Sequence, residues 1–209
     1  MPHFRKLILP LIVLALFGLG STLTAKADTV TFQIGNNPQA NEENILLNSG
    51  LSGIQVFGTT NQSNLSVRFS STTDTLVEPS SGQARVEALD GLVNNITISV
   101  PGGSFTDLIM NPFQGSGTAT ITATTLSNQV LTFQYTLGVG NNFVTIFDVG
   151  GAFSSIAISA PGGFTDLRQP RISGAQAIPA AVVEPTTMLL FGAGLSVMAI
   201  KLRRRAKRS

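Results

Sequence analysis

Asn95-Ile96-Thr97-Ile98-Ser99-Val100-Pro101-Gly102-Gly103, continuing through Ser104-Phe105-Thr106-Asp107-Leu108, is the stretch that decides the fold. Ile96, Ile98 and Val100 fall on one side and Thr97 and Ser99 on the other, the period of two expected of a half-buried strand. Pro101 presets the entering dihedral and glycine accepts a positive φ, so Pro101-Gly102-Gly103 predicts a turn. The pattern returns as Ser155-Ile156-Ala157-Ile158-Ser159-Ala160-Pro161-Gly162-Gly163-Phe164-Thr165-Asp166-Leu167. The offset is 60 before the glycines and 59 after Ser104, the extra residue of the first copy. Upstream, Val86 to Asp90 is matched with Val144 to Asp148. Each copy therefore reads as strand, Asp-containing turn, strand, Pro-Gly-Gly turn and Phe-x-Asp-Leu strand.

Short alternating runs also fill the rest of the chain and the start of the second copy. Thr29–Ile34, 53–57, 65–69, 118–124, Val130 to Leu137 and 143–147 read as strands, with a last one over 169–173. Only 41–47 (NEENILL) reads as a helical turn. The expectation is an all-β, two-sheet antiparallel β-sandwich in which each half buries the other's apolar face. Jelly-roll-like and Ig-like topologies both remain open. One domain covers 28–173, with its repeat at about 84–108 and 142–167, and a small-residue linker follows over 174–182.

The formal charge of +2 averages unlike regions. Between positions 28 and 184 only Arg68, Arg85, Arg168 and Arg171 oppose eleven acidic residues, a net of −7. Such a body offers no footprint for a polyanionic backbone, and this excludes nucleic acid as a partner. It has no Cys, His or Trp, and a single Tyr, Tyr135. Thiol nucleophiles, histidine bases, His-based zinc sites and tryptophan platforms are absent with them.

The two ends read as targeting elements. His3, Arg5 and Lys6 precede the apolar run 7–19, and Ala25 and Ala27 form a small-x-small site, so 1–27 is expected to be a signal peptide cut by signal peptidase. At the other end, 186–202 carries no charged side chain until Lys201, and as a helix it spans about 25 Å. This is short for a hydrocarbon core of about 30 Å, with Lys201 able to snorkel at its end. Glu184 and Pro185 precede the run, and Lys201, Arg203, Arg204, Arg205, Lys207 and Arg208 close it.

In order and spacing, 183–209 resembles the PEP-CTERM sorting signal: a Pro-Glu-Pro box, an apolar helix and a basic end. Val183 stands where the family has its first proline. The resemblance implies a single transmembrane helix, processing by an exosortase, and export. Transient inner-membrane anchoring would then give way to the cell surface, outer membrane or extracellular matrix. The body is also similar to domains found ahead of such tails, which implies a β-rich surface protein and no particular activity.

The candidate sites within the body are few. The carboxylates Asp90, Asp107, Asp148 and Asp166 recur between the copies and suit a hard cation such as calcium, although Asp at a strand end more often caps backbone N–H groups. Glu78, Glu87 and the same aspartates are the only material for a paired-acid hydrolase, and no spacing singles out a pair. A sheet face lined by Ser and Thr is ordinarily the solvated side; its alternative is a carbohydrate-facing surface, with Tyr135 as the candidate ligand-binding aromatic. Three asparagine triplets at 61–63, 64–66 and 95–97 fit the N-glycosylation pattern by composition alone. The expected role is non-catalytic, structural or adhesive, linked to exopolysaccharide or biofilm. A carbohydrate-binding module is the alternative, and a polysaccharide-acting hydrolase comes third.

Overall fold

The computed structural model describes residues 29–47, 49–80, 84–177 and the single position 193. Fifteen strands run in order: β1 Thr29–Ile34, β2 Glu43–Leu46, β3 Ser52–Gly53, β4 Gln55–Thr60, β5 Ser66–Ser70, β6 Leu76–Val77, β7 Arg85–Ala88, β8 Val93–Ser99, β9 Gly103–Ser104, β10 Asp107–Gly115, β11 Thr118–Thr125, β12 Val130–Thr136, β13 Val144–Val149, β14 Phe153–Ser173 and β15 Gln176–Ala177. The stretch 41–47, expected to turn as a helix, instead contains β2. Glu43 is tied across the sheet to the N–H groups of Gln62 and Ser63 at 3.0 and 2.7 Å, a tertiary constraint that overrides local propensity.

The two-sheet sandwich needs correction. Thirteen strands form one hydrogen-bonded sheet, and only β9 and β15 pair apart from it. The reason is β14, which is 21 residues long. Its first half pairs with β11 and β8, and its second half pairs with β10, β7 and β2. Since β2 also pairs with β4, and β4 leads through β5 to β8, the strands close a circuit that starts and ends on β14. Neither the jelly-roll nor the Ig-like alternative describes this closed, barrel- and sandwich-like sheet.

The repeat copies interleave instead of forming separate halves. Ile96 pairs with Ile158 and Ile98 with Ile156, so equivalent strands lie antiparallel beside each other about the Thr97–Ala157 pair. The upstream strands follow the same relation. Glu87 of β7 lies beside Asp166, and Phe147 of β13 lies beside Asp107. This makes Ala88, not Asp90, the counterpart of Asp148 and corrects the sequence match by two residues.

The second Pro-Gly-Gly is not a turn. In the first copy Gly103 N donates to Val100 O at 2.9 Å and closes one. In the second, β14 runs on through Pro161-Gly162-Gly163, and the pairing with β8 skips from Ser159 to Phe164. Gly163 has φ +70, and a Cβ on Gly162 would stand 2.5 Å from Ser116 O. Glycine is required because the backbone bends between layers here while another loop presses on it.

The layers share one core that includes Val56, Val67, Phe69, Ile96, Ile98, Leu108, Met110, Ile121, Ile146, Ile156, Ile158, Phe164 and Leu167. β1 and β12 each pair along one edge only. Their rings meet instead: Phe32 stacks on Phe133 at 5.2 Å, and Phe133 on Tyr135 at 6.1 Å.

The two terminal elements are not carried forward. Among the described residues no helix is long and apolar enough to cross a membrane. The signal helix expected over 1–27, with Ala25 and Ala27, lies outside the described residues, as does the transmembrane helix expected over 186–202. So do Glu184, Pro185 and the basic cluster at Lys201, Arg203, Arg204, Arg205, Lys207 and Arg208. The uncharged run before Lys201, 186–200, is also shorter than the roughly 20 residues that a bilayer core asks of a helix.

Candidate functional site

Alternation gives the folded sheet two outer faces. The first lies on β13, β10, the second half of β14 and β7, where Asp107, Ile109, Asn111 and Phe113 point away from the core. Structure covers it. Thr145 accepts from Asn37 N at 3.1 Å and donates to Gly35 O at 2.9 Å, which ties the segment after β1 across the face. Arg171 bonds to Glu42 at 3.0 Å and also to the Asn36 side chain. Asn111 accepts from Asn142 N at 2.7 Å and donates to Asn141 at 2.9 Å.

The charged groups of this face other than Asp107 satisfy one another. Asp166, 2% exposed at its side chain, receives Arg168 through Nε at 2.7 Å and Nη2 at 3.0 Å. The Arg168 guanidinium lies 3.4 Å over the Phe113 ring, a cation–π contact. Arg85 approaches Glu87 at 2.8 Å and Asp166 at 4.0 Å. A carboxylate held by a bidentate guanidinium has little capacity left for a cation.

Asp107 sits differently on the same face. It is 1% exposed, and neither carboxylate oxygen has a hydrogen-bond partner that meets geometric criteria. Burial pushes its carboxyl up to about 6; the Ser173 hydroxyl and amide oppose this, Glu42 adds to it and Arg171 opposes it. Glu43 moves the other way: burial alone would raise it, but donors from Ser63, Gln62 and Thr60 outweigh that and hold it below the usual carboxylate range.

The four recurring aspartates are not gathered into one site. Asp90 is in an exposed turn and accepts from Leu92 N at 3.3 Å. Asp148 is buried in β13 beside Thr106, Asp107 lies on the opposite side of the sheet, and Asp166 is clamped by arginine. Among the described residues no group of three or more His, Cys, Asp or Glu could hold a metal. Glu78, 1% exposed, is spent on Ser49 N at 3.1 Å and Phe57 N at 2.8 Å. Tyr135 is 6% exposed, and its hydroxyl donates to Asn142 O at 3.4 Å; burial moves its phenol well above the usual range.

The second outer face is open and of another chemistry. It spans β4, β5, β8, the first half of β14, β11 and β12, about 24 Å across at strand spacing. One row of neighbours runs Gln55, Ser70, Thr97, Ala157, Thr122 and Thr132. The next runs Asn95, Ser159, Thr120 and Gln134, with Gln134 donating to Thr120 at 3.3 Å. On the other side, Phe57, Arg68 and Ser99 lie in register, and Ser155, Thr124 and Val130 continue that line. No carboxylate points outward from these strands. Phe57 leaves 43% of its surface exposed, and the bond from its N–H to Glu78 fixes its backbone where β2 no longer pairs. Arg68 and Phe57 were not singled out in the sequence; the alternation of Ser66-Val67-Arg68-Phe69-Ser70 was the available signal, since it puts the arginine on the hydroxyl side.

No family model matches the chain, and no curated protein matches it. The PEP-CTERM resemblance thus has no family match behind it, and no described helix serves its membrane step. Exosortase and signal peptidase as partners, and the inner-membrane, surface and matrix locations, are withdrawn with it. Among solved structures the chain is similar to a substituted variant of CBM29-2, a family 29 carbohydrate-binding module. The identity is 16%, the coverage 77% of this chain and 99% of that chain, and the TM-score 0.29. A second variant gives 15%, 76%, 99% and 0.27, and another family 29 carbohydrate-binding module gives 14%, 77%, 97% and 0.21. Those proteins are carbohydrate-binding modules by name; at TM-scores this low the likeness carries no argument about fold, ligand or catalysis.

Proposed function

We propose that this protein is a non-catalytic carbohydrate-binding domain and that it binds through the open face of β4, β5, β8, β14, β11 and β12. The observation that carries the reading is the run of side-chain hydroxyls and amides over six adjacent strands, with exposed Phe57 at one border. Hydroxyls and carboxamides both donate and accept, as sugar hydroxyls do. A sheet holds them at fixed spacing, so little ordering cost remains to be met on binding. The Phe57 ring supplies an apolar surface for the carbon face of a sugar. The covered face has neither property, because its polar groups are already bonded to one another.

Affinity electrophoresis of the full chain through gels containing soluble polysaccharides tests the reading. Retardation by at least one polysaccharide, abolished by Thr122→Glu on β11 of the face, supports it. Retardation unchanged by Thr122→Glu, or none with any polysaccharide, overturns it. A structural or adhesive role towards an exopolysaccharide would use this same face, with the polysaccharide as a matrix and not a soluble chain.

A further inference from the structure

Within the carbohydrate reading, on which this step rests, we infer that the open face selects acidic glycans, and that Arg68 receives the carboxylate of a uronic acid residue. The inference starts from how the arginines are partnered. Arg85, Arg168 and Arg171 each lie within 4.0 Å of an acidic side chain. Among the described residues Arg68 is the one arginine without an ion pair, although the surrounding body is strongly acidic. Its Nη2 donates to Ser99 Oγ at 3.2 Å. Its Nε is buried without a hydrogen-bond partner.

Such an arrangement has a cost that its surroundings do not offset. A buried guanidinium N–H without an acceptor loses its hydration and gains nothing in return. Carboxylates exist in this fold to pair with it, yet none is placed there. The outward positions around it are Phe57, Ser66, Ser70, Thr97, Ser99 and Ser155, all uncharged. The result is a single fixed positive charge on a broad neutral surface of hydroxyls and amides.

The chemistry of that position is specific. A guanidinium is a planar fork that matches the two oxygens of a carboxylate. With Nη2 bonded to Ser99, the plane of the Arg68 fork is set before a ligand arrives. Phe57 is its neighbour in register on β4, so a sugar ring resting on Phe57 brings a ring carboxylate to the Nη edge. The remaining ring hydroxyls then meet the Ser and Thr rows. A neutral glycan would use the rows and the ring but leave Arg68 as it is.

The test compares polygalacturonate and alginate with a neutral mannan, a neutral β-glucan and dextran sulfate, again with the full chain. Wild type is expected to bind the uronates about 10- to 100-fold more tightly than the neutral polymers, the range of one charge-assisted pair. Dextran sulfate should be bound less well than the uronates. Arg68→Gln should remove the preference, bringing uronate binding down to the level of the neutral polymers. Arg68→Lys, which keeps the charge without the fork, should recover only part of it. Raising NaCl from 20 to 500 mM should weaken uronate binding by wild type and not by Arg68→Gln; the wild-type salt dependence stands even if the variant fails to fold.

Equal binding of neutral and acidic polymers, or a uronate preference unaffected by Arg68→Gln, overturns the inference while the carbohydrate reading survives. Binding to none of the five polymers overturns both. Preference for dextran sulfate over the uronates also overturns it, since selection would then follow polymer charge density and not a ring carboxylate.

Discussion

The two outer faces are built from the same kind of strand, and they end differently. On the covered face, carboxylates and guanidiniums are packed under the segments 35–42 and 138–142 and, Asp107 apart, paired with one another. On the open face, hydroxyls and amides stand in register across six strands, and the one charge among them has no counter-charge. Charge density alone is therefore a poor guide to function here. The crowded face uses its charges to hold loops and strand ends in place, whereas the sparse face leaves its donors available.

This contrast can be broken from either side, and the largest stability effect is expected on the covered face. Asp107→Asn should stabilise the protein at pH 7.5 by up to about 3 kcal/mol, the free energy of a carboxyl raised by about two units. A carboxyl with a raised folded pKa binds more protons in the folded state than in the unfolded state between 3.8 and about 6. Its contribution is thus fully present below pH 3.8 and lost as pH rises through about 6. The gain from Asp107→Asn should vanish near pH 4, as thermal melts across this range would show. An equal gain at pH 4 and pH 7.5 would mean that Asp107 is not strained by its charge.

Asp166→Ala comes next. It removes the shared acceptor of Arg168 and Arg85. Both guanidiniums are about one-third exposed and regain some hydration, so the expected loss is about 2 kcal/mol, below that for a fully buried pair. Urea denaturation measures it. Glycan binding should be unchanged; a binding loss without a stability loss would move the functional site to the covered face. Thr122→Glu should have the smallest effect on stability, within about 0.5 kcal/mol for an outward position, while abolishing retardation in polysaccharide gels.

Much of the open face was legible in the sequence. The alternation in Thr118 to Thr124 and in Ile96 to Val100 put hydroxyls and apolar side chains on opposite sides, as β11 and β8 do. Strand identity is a local property there, set by a period of two. What was not legible depends on long-range pairing. Pro161-Gly162-Gly163 has the same residues as Pro101-Gly102-Gly103, and only the strands lying against it keep it as a bend within β14. Asp90 and Asp148 looked like counterparts because both end a short run, but register places Ala88 opposite in role. The helical reading of 41–47 failed because Glu43 is satisfied by residues almost twenty positions away. Arg68 shows the same limit. Its place on the hydroxyl side follows from alternation, but the absence of a carboxylate beside it is a property of three neighbouring strands.

The account stands most directly on where a glycan touches the protein. Amide chemical-shift mapping of the full chain, titrated with a uronate oligosaccharide, reads this residue by residue. Shifts confined to the open face, centred on Phe57, Arg68, Thr97 and Thr122, are the predicted result. Shifts clustered around Phe113, Arg168 and Asn111, or no shifts at saturating oligosaccharide, would contradict it.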